Sequence, residues 1–176
     1  MNSVKILSAL LLGVLLVSGL SACSEQGKTP ASAAVQTDTA KIFAASLPDL
    51  EDKLQPLSQW RGKILVLNFW APWCPPCRAE IPEFIKLQEK YRQQGVVFVG
   101  VALDQKDKVQ VFADEMGINY PMLLGESDAV EVAKLAGNRL GGLPFTAIFA
   151  KNGDIVSTVT GELKREQLEA TLKPLL

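Results

Sequence analysis

Two cysteines three residues apart, Cys74 and Cys77, lie in the stretch NFWAPWCPPCRAEIP, Asn68–Pro82. Prolines surround them, and an acid, Glu80, follows Cys77 by three positions. Such a pair can be half of a zinc site, an inert crosslink or a redox couple. Zinc lacks ligands: the 176 residues contain no histidine and only one other cysteine, Cys23. The same absence removes Ser/His/Asp and Cys/His catalysis. A structural staple gains little, because closing so short a loop hardly restricts the unfolded chain. The redox reading draws on what flanks the pair. An apolar run of strand length, ILVLNFW (Ile64–Trp70), stops just before it, and a helical pattern begins at Pro76. Cysteines at a helix N-terminus meet unpaired N–H groups and the positive end of the dipole, which favour thiolate. Thiols of Cys-x-x-Cys pairs have pKa values of about 3.5–7.5, against about 8.5 for a free cysteine. The spacing places both sulfurs on one side of the first turn. Cys74 is then expected exposed at the tip as the attacking nucleophile, with Cys77 behind it as the resolving thiol.

The surrounding elements follow from periodicity. Ile81, Phe84, Ile85, Leu87 and Tyr91 recur at helical spacing up to about Gln94, and Gly95 ends the run. VVFVGVAL (Val96–Leu103) reads as a second buried strand, so strand, helix and strand form a parallel, right-handed βαβ unit. Leu50–Leu57 is expected to begin a small hairpin, and Ser58–Lys63 to be a polar connection. Asp107–Gly117 reads as a short helix, NYPMLLG as a short strand, and Asp128–Gly137 as a helix with Asp128 as N-cap. Phe145–Ala150 and Asp154–Gly161 flank Asn152-Gly153, a strong hairpin signal, and Lys164–Leu175 closes as an amphipathic helix. The expected fold class is α/β, a mixed central sheet with helices on both faces.

The composition, 48% hydrophobic and 21% charged with a formal net charge of −1, suits one globular domain and offers no basic field for nucleic acid. The first residues are expected to be a leader. Lys5 precedes the apolar run Ile6–Val17, which is too short to span a bilayer comfortably and has the length of a secretory h-region. LSAC, Leu20–Cys23, resembles the lipobox of bacterial lipoproteins, which makes residues 1–22 a signal peptide and Cys23 the lipidated N-terminus. Cys74 and Cys77 then remain as a pair. Several acyl chains would hold the protein to the bilayer, since one alone binds marginally. Residues 23–42, small and polar, are expected to be the lipidated cysteine and a flexible tether spanning about 25 Å, and residues 43–176 the folded domain.

FWAPWCPPC (Phe69–Cys77), followed by RAEIP, resembles the thioredoxin superfamily. With the lipoprotein leader it is similar to the TlpA/ResA-type membrane-tethered thiol:disulfide oxidoreductases, over roughly Leu47–Leu176. The resemblance implies a thioredoxin-like fold with the helix-and-strand insertion of the TlpA branch at about Asp107–Leu135. It also implies a cis-proline at Pro144 opposite the cysteines, a kinking proline at Pro82, and substrate contacts at Trp73, Pro75 and Leu143. Thioredoxins carry a buried aspartate where this chain has Asn68, and an amide cannot take a proton. Glu80 matches the acid that ResA-type proteins place near their cysteines, so it is the candidate proton shuttle, against the alternative of a solvated acid favoured by the helix N-terminus.

The function so implied is a monomeric, lipid-anchored oxidoreductase facing the periplasm, in the outer membrane given Ser24 after the lipidated cysteine. It would reduce disulfides of exported proteins, in cytochrome c maturation among other settings. Electrons would come from a membrane thiol donor of the DsbD/CcdA type, with no metal and no cofactor beyond the Cys74–Cys77 couple. The alternatives are a disulfide oxidase or isomerase of the same fold, and a non-enzymatic lipoprotein that uses the fold as an interaction platform. A peroxidase of the related redoxin group would need a Pro/Thr/Arg setting that APWCPPCR does not reproduce.

Overall fold

The computed structural model of the protein describes residues 38–176. The expected signal peptide, Cys23 and the tether as far as residue 37 lie outside the described residues. The folded domain begins earlier than the expected residue 43. Asp38 caps a first helix, α1 (Thr39–Ala44), its carboxylate accepting the N–H of Lys41 at 3.2 Å. Ile42 and Phe43 of that helix are buried, Phe43 edge-on against Phe149. Two apolar residues with a cap before them are enough to join this short segment to the domain.

The organising element is β3 (Ile64–Trp70), buried along its whole length. It is the middle strand of a five-stranded sheet ordered β5-β4-β3-β6-β7. Beside it run β4 (Val96–Ala102), parallel, and β6 (Phe145–Phe149), antiparallel. The short β5 (Met122–Leu124) extends the sheet parallel to β4, and β7 (Ile155–Thr160) pairs antiparallel with β6 through the expected turn, where Gly153 takes a positive φ of 91°. Side chains alternate across a strand, so β3 serves two cores. Ile64, Val66 and Trp70 pack with α2 (Pro75–Tyr91), α3 (Lys106–Met116) and α5 (Arg165–Leu172). Leu65, Leu67 and Phe69 pack with α1 and α4 (Ser127–Leu135). The order strand, helix, parallel strand at β3-α2-β4 is the expected βαβ unit, and α3-β5-α4 occupies the segment expected as an insertion.

Three local expectations shift. The hairpin forms from β1 (Ser46–Pro48) and β2 (Leu54–Pro56), earlier than expected. The carboxylate of Asp49 organises its turn, accepting from the N–H groups of Glu51 and Lys53 at 2.9 Å and from the Gln55 side chain at 2.7 Å. The supposed polar connection is a 3-10 turn, Leu57–Trp60, whose two apolar ends are buried. Asp128 is not the N-cap of α4: the helix starts at Ser127 after Glu126, leaving Asp128 in the first turn, where its charge still meets the helix dipole.

Candidate active site

β3 leads straight into the cysteine segment, and α2 begins one residue after Cys74. Cys74 is the N-cap of α2, and its Sγ accepts the N–H of Cys77 at 3.4 Å. Pro75 and Pro76 fill the first helical positions, where a missing N–H costs nothing. Cys74 and Cys77 are joined by a disulfide, their Cα atoms 5.3 Å apart. The expected exposure of Cys74 is corrected: the residue is only 3% exposed. Its sulfur is drawn back over the first turn by the bond to Cys77 and by the N–H it accepts, and Trp73, 65% exposed, takes the outward place instead. Cys77 is fully buried, as expected.

The second wall comes from β6. Phe145 lies opposite Phe69, so the start of β6 stands beside the end of β3, at the end of the strands where the cysteine segment emerges. The Leu143–Pro144 bond there is cis, as the resemblance implied. The preceding loop is closed by Asn138, whose buried amide donates to the Gly142 carbonyl at 2.9 Å and accepts the Gly142 N–H at 3.1 Å. Leu140, at the tip of this loop, is 98% exposed.

Beneath the cysteines lies Glu80, and it is no solvated helix acid: it is 1% exposed. One turn beyond Cys77 on α2, it reaches into the sheet and the chain before α5. Its Oε1 accepts from Asn68 Nδ2 at 2.7 Å and its Oε2 from the Leu163 N–H at 2.9 Å. Burial pushes its carboxyl up to about 7. The two N–H donors from Leu163 and Asn68 hold it back, and the nearby Glu162 charge adds to the rise. Asn68 also donates to Thr146 Oγ1 at 3.0 Å, across the strand pair in which the two residues face one another.

Sequence reasoning brought together Cys74, Cys77, Glu80, Trp73, Pro75, Leu143 and Pro144, and missed Thr146, Leu163 and Asn138. Thr146 left a trace: Asn68 and Thr146 are each the single polar residue of an otherwise apolar strand. Leu163 contributes a backbone N–H, which any residue type but proline would supply. Among the described residues no group of three or more histidine, cysteine, aspartate or glutamate side chains could hold a metal.

A central strand that delivers a buried cysteine pair to a helix N-terminus opposite a cis-proline defines a thioredoxin-like oxidoreductase. The chain belongs to the AhpC/TSA family, whose model matches residues 38–158. It is 35% identical over 130 residues to the thiol-disulfide oxidoreductase ResA of Geobacillus kaustophilus, covering 73% of this chain and 72% of the relative. Among solved structures, MTB DsbF in its mixed oxidised and reduced forms superposes with a TM-score of 0.68 at 27% identity, over 77% of this chain and 97% of that one. A thioredoxin-family thiol:disulfide interchange protein from Chlorobium tepidum gives 0.66 at 25% identity, over 74% and 92%. The protein is accordingly a thiol:disulfide oxidoreductase, of a kind that works through a redox-active cysteine pair and needs no cofactor.

Proposed function

We propose that the protein reduces disulfides of exported proteins while anchored to the periplasmic side of a membrane, the outer membrane, through lipid on Cys23. The observation that carries the exchange chemistry is Glu80, a buried carboxyl with a pKa of about 7 one turn from a buried Cys77. In the reduced enzyme Cys74 is the nucleophile. Its thiolate, held by the N–H of Cys77 and the N-terminus of α2, attacks a client disulfide, forming a Cys74–client mixed disulfide and releasing the other client sulfur as thiolate. Cys77, sealed from water, gives its proton to the Glu80 carboxylate and attacks Cys74 Sγ. The mixed disulfide breaks, the second client sulfur leaves as thiolate, and the Cys74–Cys77 disulfide remains. The client gains two electrons, which a membrane thiol donor of the DsbD/CcdA type restores to the pair. Trp73, Pro75, Leu143 and the cis-Pro144 form the rim against which the client backbone lies.

The ResA relatives and the lipobox-like LSAC support this reading over an oxidase or isomerase of the same fold. Equilibration with glutathione tests the direction. Dithiol proteins of this kind span about −270 to −120 mV, and a potential at the oxidising end would overturn the reductase reading. Cys77→Ser, expressed in cells, is expected to hold clients on Cys74 as mixed disulfides, with apocytochrome c and other exported proteins as the expected catch; absence of any trapped adduct would count against enzymatic exchange. Labelled palmitate should enter the parent chain and not Cys23→Ser, and fractionation should find the parent in outer membranes.

A further inference from the structure

Asn68 is the one polar residue on β3, buried, and its amide oxygen has no hydrogen-bond partner among the described residues. A buried amide left half-satisfied costs stability that an apolar side chain of the same shape would not. Its two N–H bonds are both used, one on Glu80 Oε1 at 2.7 Å and one on Thr146 Oγ1 at 3.0 Å. Thr146 faces it directly across the β3–β6 pair, so the amide is braced from one side and delivers a donor to the carboxylate on the other. Glu80 already has a backbone donor, Leu163, on its second oxygen.

We propose that Asn68 is a positioning residue for disulfide exchange: braced by Thr146, its amide holds Glu80 as a carboxylate aimed to receive the Cys77 proton. This rests on the reading of Glu80 as proton acceptor. A buried acid with no donor would stay neutral at working pH and could accept nothing, whereas one with too many would hold its charge and release no proton back. A carboxylate at position 68 would face Glu80 at hydrogen-bond distance and oblige the two acids to share one proton. The amide removes that conflict by offering donors only. The other titratable groups around Glu80 are Cys77 on its own helix, Tyr120 ahead of β5, and Glu162 before α5, the last engaged by Lys164. β3 and β6 carry no charged residue, so Asn68 is the side chain through which the sheet acts on this acid.

The test is the pH dependence of exchange by the reduced full-length chain with glutathione disulfide, followed by tryptophan fluorescence. In the parent the resolving step is expected to rise with pH through the titration of Glu80. Asn68→Leu keeps the shape and removes the donor; its limb is expected to move up by about one to two pH units. Exchanging the two groups, Asn68→Asp with Glu80→Gln, can keep all three of these hydrogen bonds. The new glutamine at position 80 accepts the Leu163 N–H and donates to the new carboxylate, whose second oxygen takes the Thr146 hydroxyl. That double variant is expected to recover pH-dependent exchange that Glu80→Gln alone has lost. An unmoved limb in Asn68→Leu, or a double variant no better than Glu80→Gln, overturns the role of Asn68. If Asn68→Leu does not fold, the double variant decides alone. A Glu80→Gln profile identical to the parent removes the reading of Glu80 itself, and with it this role.

Discussion

Three buried polar side chains in the helix-side core illustrate how unlike one another such residues can be. Asn68 donates to Glu80 but leaves its own amide oxygen unbonded, while the Tyr120 hydroxyl has no partner at all among the described residues. Burial raises the Tyr120 phenol far above its ordinary range, and the Glu80 charge pushes the same way, so the ring stays neutral. Its apolar body packs against Phe98, ring centroids 6.0 Å apart. Tyr120→Phe therefore removes a desolvated hydroxyl and keeps the packing. Urea unfolding is expected to show a change between zero and about 1 kcal/mol of added stability, with exchange rates unaltered; a loss beyond about 1 kcal/mol would mean that the hydroxyl is bonded after all.

At the scale of elements, α2 both presents the cysteines and completes the sheet beneath it. β5 is three residues long and pairs only with Gly100–Ala102, which leaves the first half of β4 without a neighbour on that side. The Phe98 N–H falls in that uncovered stretch and donates instead to Gln88 Oε1 on α2 at 2.7 Å. A helix side chain thus takes the place of a missing strand partner. Gln88→Leu would leave this N–H buried and unbonded, and is expected to cost about 1–3 kcal/mol in denaturant unfolding. Because Gln88 lies near the far end of α2 from the cysteines, the glutathione potential should not move. Pro82, inside the same helix, withholds one N–H from the Arg78 carbonyl, while the Arg78 guanidinium bonds the Pro72 carbonyl at 3.2 Å and lies over the Phe112 ring. The helix carrying Cys77 is in this way tied to the segment before the cysteines and to α3.

For the molecule as a whole, Glu80 links chemistry to stability. Its folded pKa of about 7 stands above the ordinary 4.5, so between those pH values the native protein keeps a proton that the unfolded chain has released. Stability therefore falls as pH rises through that window and is level above it, a loss of roughly 3 kcal/mol. Glu80→Gln should abolish the slope. Urea midpoints of parent and variant are expected to agree near pH 4.5 and to diverge by pH 8, with the variant more stable; parallel curves across that range would contradict the burial of a titrating acid. The same residue ties three remote parts of the chain together through β3, α2 and the Leu163 N–H ahead of α5, whose Leu168 and Leu172 are fully buried.

The βαβ unit, the cysteine pair at a helix start and the positions of the later strands could be read directly, because each depends on local periodicity and on residue types that chain neighbours constrain. ILVLNFW is β3 at the residues expected, and Asn152-Gly153 turns β6 into β7. What failed locally failed for want of a partner: Trp60 is in a polar stretch yet buried, and Ile42 lies in a segment too polar to fold unless α4 and β6 stand beside it. The state of Glu80 depended wholly on the tertiary structure. An acid three residues after Cys77 has the same local signature whether water or a sheet covers it. Only the packing of α2 on β3, with Asn68 turned toward the helix and the Leu163 N–H arriving from 83 residues away, makes it a buried carboxyl that titrates near neutrality. Periodicity and residue type, carried within one turn or one strand, sufficed for the sulfur chemistry; its proton acceptor is set by desolvation and by donors from distant chain, which no local pattern encodes.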